Sequence, residues 1–299
     1  WIKLPAAVNA WCAENPLTKK SISPAPISTN ILMSAINLPR LRTQLGLLIP
    51  QIGNLIEFIY GLREIYNFYA DHTHPVGEPP TGVFTLPAFN TPAVLNREVL
   101  LTLTPYCEDE PDLVLELIDL LWQEPEVELR QLAANLLGKL PPAKTDEVID
   151  HIRAWSEEAV NTELLPYLHQ HASVAVRRHA PQRWLDLLYE WETSERKWLS
   201  KLAIEGVIPL IDDLDFENLP AIFTFITPLI INPSTEFQFE LVAIIEHLAR
   251  RSEVETVYYL KKAISLSTDP GMNTFIRRTL DFFSPEVQTS LRNDLRERS

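Results

Sequence analysis

Adjacent basic residues recur through the C-terminal half of this sequence, at Arg177-Arg178, Arg196-Lys197, Arg250-Arg251, Lys261-Lys262 and Arg277-Arg278. Cationic groups repeated in this way suit a run of phosphates, since each phosphate neutralised releases condensed counterions. Two readings are open: a basic stripe along one face, matching a duplex backbone, or solvated positions interleaved with acids such as Glu253 and Glu255. Imidazoles stand two apart twice, at His72 and His74 and at His169 and His171. That spacing shares a face on a strand but not on a helix. A loop with Asp71, His72 and His74 leaves a metal site conceivable, yet neither a metal nor a cofactor is expected. Cys12 and Cys107 are far apart and read as reduced thiols. No P-loop, nucleophile elbow, zinc-protease motif or dinucleotide fingerprint occurs.

The charge balance works against broad attraction to polyanions. Lys and Arg number 26 against 40 Asp and Glu, a formal net charge of -14. Acids crowd residues 108–128, where Glu108, Asp109, Glu110, Asp112, Glu116, Asp119, Glu124, Glu126 and Glu128 stand with no Lys or Arg. This run is either a solvated helix face or a docking surface for a basic protein partner.

The elements that must carry these residues read as helices. Only 8 glycines occur against 24 prolines, too few for sheet turns or phosphate-cradling loops. Prolines fall near the edges of apolar stretches, as suits helices that stop and restart. Val127, Leu132, Leu136 and Leu140 form a helical stripe, as do Leu113, Leu117, Leu120 and Leu121, and Val242, Ile245, Leu248 and Ala249. The pattern predicts helices near 111–122, 126–140, 145–157, 161–171, 174–191, 195–211, 216–231, 235–250, 253–267, 271–283 and 285–297. Ser284-Pro285-Glu286 carries a hydroxyl cap, a first-turn proline and an acid at the positive dipole end. Helices with one apolar face and short connections bury that face by stacking in pairs. The expected fold is therefore all-α, an α-α superhelix of HEAT-like repeats over residues 93–299. Residues 1–92 read as an N-terminal helical extension with Pro-rich linkers, its aromatic 39–70 region packing a core. No apolar run is long enough to span a bilayer, no signal peptide is recognised, and a cytoplasmic location is expected.

The segment Trp191-Glu-Thr-Ser194-Glu-Arg-Lys-Trp198-Leu199-Ser-Lys201-Leu-Ala203-Ile204 resembles the W-x2-S-x3-W-L-x-[RK]-x-A-I motif of the DNA alkylation repair family. These are HEAT-like glycosylases that excise positively charged alkylated bases. The patches Leu129-Arg130 to Gly138-Lys139 and Tyr259-Leu260 to Arg277-Arg278 agree in style, so the resemblance covers roughly residues 95–299. It implies a tryptophan and, four residues later, a carboxylate on a helix one pair upstream of the motif. It further implies a basic residue after the second motif tryptophan and a Trp-x-x-Arg on a later helix. Aromatic faces and a carboxylate would stabilise the cationic base and an oxocarbenium-like sugar, while basic residues hold phosphates.

Carried onto this sequence, the basic position is Lys201, which keeps charge without arginine's bidentate fork. The late arginine is Arg250, with Arg251 beside it, and His247 stands where the family has tryptophan. The upstream helix falls near 161–166, NTELLP, with Glu163 its only acid; Trp155 lies earlier, with Glu157 and Glu158 close by. The first expectation is a HEAT-like binding scaffold with reduced or lost base excision. The alternative is an active glycosylase in which Glu163 or Glu158, His247, Lys201 and Arg250 serve as the site. A third reading is a protein-binding scaffold unrelated to DNA.

Overall fold

The computed structural model describes residues 36–71, 86–158 and 164–298, and among them there is no strand. Residues 36–299 form one compact unit. Its helices are α1 (Leu38–Leu48), α2 (Leu55–Tyr69), α3 (Ala93–Asp109), α4 (Pro111–Gln123), α5 (Val127–Leu137), α6 (Thr145–Glu157), the single turn α7 (Leu165–Tyr167) and α8 (Val174–His179). They continue with α9 (Pro181–Glu192), α10 (Lys197–Glu205), α11 (Ile208–Asp212), α12 (Leu219–Ile231), α13 (Gln238–Arg251), α14 (Glu253–Leu266), α15 (Gly271–Thr279) and α16 (Pro285–Arg298).

Local chemistry explains the starts and stops. Asn37, Asn54, Asn218 and Ser252 each cap a helix by accepting a backbone N–H near its N-terminus. Pro111, Pro181 and Pro285 open α4, α9 and α16, where their missing N–H is not needed. Pro181 also ends α8: the residue before a proline is pushed out of the helical region, and Ala180 has ψ 58°. The predicted helix 174–191 is therefore two, and 195–211 is likewise divided, around Gly206 and Val207. Helix α3, absent from the sequence reading, buries Leu95, Val99, Leu103 and Cys107 at helical spacing and carries Pro105 inside it.

Consecutive helices pack in pairs, such as α4 with α5, α9 with α10 and α13 with α14, and the pairs stack in two layers. One layer runs through α1, α3 and α5 to a π-turn at Leu168–Ala172 and, past α10 and α11, to α13 and α15. In the other, α6 meets α9, and α12, α14 and α16 follow in succession. Tyr189 of α9 packs edge-on to Phe225 of α12, ring centroids 4.9 Å apart. Helix pairs that bury their apolar faces against neighbours on both sides agree with the α-α superhelix expected from the sequence. Helices α1 and α2 join the stack: Glu98 of α3 accepts from Arg42 at 2.7 Å, and Arg63 pairs with Glu124 and Glu126. Of the aromatic set in 39–70, Phe58 and Tyr66 are buried, whereas Tyr60 and Phe68 are exposed.

One close approach demands a glycine. A Cβ on Gly138, at the end of α5, would collide with the backbone carbonyl of His171 in the π-turn. The glycine lets two elements of one layer touch at the backbone.

Candidate functional site: the seam between α10, α11 and α13

The tryptophan motif forms a helix junction. Trp191 closes α9 and is 1% exposed. The chain turns through residues 193–196, where Ser194 Oγ accepts the Arg196 N–H at 3.2 Å. The Ser200 hydroxyl lies 3.2 Å from the Ser194 carbonyl and 3.4 Å from that of Trp191, so it fastens the turn to α10. Trp198 is half-buried, and its Nε1 donates to the Ser156 carbonyl at 3.3 Å, tying α10 to the end of α6. The two rings clasp the junction, and truncating buried Trp191 would cost roughly 3–5 kcal/mol.

Beyond the junction, the side chains singled out in the sequence are engaged within the protein. Lys201 Nζ sits 3.1 Å from Glu240 Oε1 and 3.7 Å from Glu205 Oε1. The Glu240 hydrogen bond and the charge of Glu205 hold the Lys201 pKa above its usual value. Burial pushes the Glu205 carboxyl up, against the pull of Lys201. One step before Lys201, Lys197 meets Glu236 at 2.9 Å. Farther along the seam, His247 Nδ1 lies 2.6 Å from Asp212 Oδ1. Arg250 pairs with Glu246 one turn earlier on α13. Arg251 donates to the carbonyls of Asp213, Leu214 and Phe216 at 2.8–3.1 Å, closing the loop after α11. Lys201, His247, Arg250 and Arg251 thus lie on neighbouring elements, bound there by carboxylates and carbonyls.

The other basic positions divide similarly. Arg177 donates to the carbonyls of His169 and Gln170 and to Ser173 Oγ, capping the π-turn. Burial pulls its pKa down to about 10, which leaves it charged at neutral pH. Arg178 points outward and is exposed. Lys261 contacts Ser290 Oγ at 2.6 Å and Asp294 at 3.3 Å, and Arg278 donates to Gln238 at 2.7 Å. Lys262 and Arg277 are exposed and have no ion pair among the described residues. Neighbours in sequence point about 100° apart on a helix, so Arg177, Arg251 and Lys261 are half-buried while Arg178, Arg250 and Lys262 are exposed; Arg196, Lys197, Arg277 and Arg278 are all exposed.

Of the candidate acids, Glu163 lies outside the described residues, as do His72, His74 and Cys12. Glu158 caps the end of α6, where its charge acts on Arg130 of α5. The acidic run 108–128 is largely spent on internal partners. Asp112 meets Lys144 at 2.7 Å, Asp119 meets His151 at 2.9 Å, and Glu128 accepts the N–H groups of Phe89 and Asn90. Among the described residues no cluster of three or more His, Cys, Asp or Glu could hold a metal ion, and no helix is long and apolar enough to cross a membrane.

Sequence reasoning marked His169 and Trp191 separately and missed the aromatic knot they form below the seam. His169 stacks on Trp191 and meets Trp184 edge-on, and Trp184 Nε1 donates to the Gly206 carbonyl at 2.9 Å. The acids that hold the cations were unmarked, although Lys201–Glu205 and Glu246–Arg250 sit at the i,i+4 spacing of helical ion pairs.

Residues 94–266, more than half of the chain, match the family model described as DNA alkylation repair enzyme. No curated protein and no solved structure gives a match. The matched span takes in the tryptophan junction, the Lys201 position and the whole α10–α13 seam, and on that ground this chain belongs to the DNA alkylation repair enzyme family.

Proposed function

We propose that the protein is a HEAT-like binding scaffold of the DNA alkylation repair family in which base excision is reduced or lost. The observation that carries this reading is the pairing of Lys201 with Glu240 and Glu205. A phosphate at Lys201 must displace carboxylates that are already in place. The Oε2 atom of Glu240 is buried with no hydrogen-bond partner among the described residues, so removing the counter-charge of Lys201 is costly. Arg250 and Arg251 meet the same obstacle in Glu246 and the loop carbonyls. An overall charge of -14 adds long-range repulsion of a polyanion.

The active-glycosylase reading draws support from one fact: Lys201, His247 and Arg250 stand on the neighbouring elements α10 and α13. Binding to a fluorescent duplex titrated against salt, followed by an assay for release of methylated bases, separates the two. A scaffold binds duplex weakly with a shallow salt slope and releases little or no base; the enzyme binds steeply with salt and releases base.

A further inference from the structure

A cavity of about 670 Å³ opens between α3, α5 and α7, lined by none of the seam residues. Its size lies within the range of roughly 300–1,000 Å³ typical of small-ligand sites. Its chemistry differs from that of the seam. At its floor, Asn90 holds a left-handed backbone at φ 56°, which is uncommon for a residue other than glycine. Buried Glu128 maintains that turn, its two oxygens accepting the N–H of Phe89 at 3.1 Å and of Asn90 at 2.7 Å. That carboxylate is therefore committed to the fold.

The hydrogen-bonding capacity that remains can be read atom by atom. Asn96 Oδ1 is taken by the Tyr66 hydroxyl, which leaves its amide hydrogens to donate. Asn135 donates to the Gln131 carbonyl at 2.8 Å and to the Tyr167 oxygen at 2.5 Å, which leaves its Oδ1 to accept. Tyr167 receives that bond, so its own proton is available. The Gln131 side-chain amide keeps both functions, and the hydroxyl of Thr91 is buried without a partner. Arg97 lies exposed on the cavity wall with no ion pair among the described residues, while the other acid there, Asp71, has an interaction of its own.

A ligand that satisfies these groups has a planar edge with donors and acceptors side by side and one anionic group. A nucleotide has both, and an amide side chain pairs bidentately with adenine through its N6 and N7, while a guanidinium suits the phosphate. We propose that this cavity binds an adenine nucleotide, with Gln131 on the base edge and Arg97 on the phosphate. The site does not depend on the seam at Lys201, so it stands or falls separately from the reading of base excision.

Two sources share this chemistry, the free nucleotide and an unstacked unit of a single strand. Calorimetric titration of the full chain with AMP and with a short oligo-dA separates them. Saturable binding is expected, weakened at least about tenfold by Gln131→Leu and by Arg97→Ala, and unchanged by Lys201→Ala. Inosine monophosphate, with an oxygen where adenine has its amine, should bind several-fold more weakly. Gln131→Glu keeps the side chain's shape and loses its donor, so it guards against a folding artefact and should weaken binding as Gln131→Leu does. Binding of oligo-dA alone with the same dependence on Gln131 and Arg97 assigns the pocket to a strand. Binding of neither probe, or binding indifferent to Gln131 and Arg97, overturns the proposal.

Discussion

The imidazole of His169 lies stacked against the indole of Trp191, ring centroids 5.5 Å apart and planes 15° apart, and neither of its nitrogens has a hydrogen-bond partner. Burial, and after it the charge of Arg177, pulls the His169 pKa down from 6.5 to about 3. Between those values the unfolded chain takes up a proton that the folded chain refuses, so this group makes stability rise with pH across that window. The limiting slope is about 1.4 kcal/mol per pH unit. His169→Leu removes two unsatisfied buried nitrogens at little change in volume, so the variant should equal or exceed the parent at pH 7 and gain on it below pH 6. Urea unfolding at several pH values checks this; parallel pH dependence of the two proteins would contradict it.

Gly138→Ala should be among the most damaging single-atom changes in the molecule. The added Cβ meets the His171 backbone carbonyl rather than a flexible side chain, so α5 or the π-turn must move. The expected loss is about 3 kcal/mol, read as a fall in Tm. A variant that melts with the parent would show that the two elements do not touch as described.

The Lys201–Glu240 pair should behave as one unit. Lys201→Met leaves a mostly buried carboxylate without its partner and should destabilise more than Lys201→Met combined with Glu240→Gln. A double-mutant cycle should return a coupling of about 1–2 kcal/mol. Additive effects would mean that the pair contributes nothing and that Lys201 is free for an outside ligand.

Much of the layered fold was legible because it depends on local signals. The start of α16 follows from Ser284-Pro285-Glu286, and α4, α6 and α14 match the helix ranges read from the sequence within one residue. Helix α3 was hidden because Leu100 and Leu101 add apolar residues off its buried stripe and Pro105 interrupts it. The break at Pro181 could have been seen, since a proline constrains the residue before it. The seam could not be assembled from sequence alone. Lys201 and Glu240 are 39 residues apart, as are Lys197 and Glu236, and repeats without a strict consensus give no register with which to pair them. The partners of the basic pairs were hidden for a simpler reason, because adjacency in sequence is divergence on a helix, as Arg250 and Arg251 demonstrate.

Charge removal on the acidic side of the seam should unmask the cations. Glu240→Gln removes the nearer of the two charges on Lys201, and Glu246→Gln removes the charge paired with Arg250, without shortening any side chain. Each should raise duplex affinity at low salt and steepen the salt slope by about one unit. Unchanged binding in both variants would mean that the carboxylates do not shield these positions.

The most direct test of the central claim is the salt titration of duplex binding by the unmodified protein, run beside Lys201→Ala, with methylated-base release measured on the same preparation. A scaffold with reduced or lost excision should bind weakly even at low salt, with a shallow slope indifferent to Lys201→Ala and little or no release of methylated bases. Tight binding with a steep slope that Lys201→Ala flattens, together with base release, would contradict it and establish an active glycosylase.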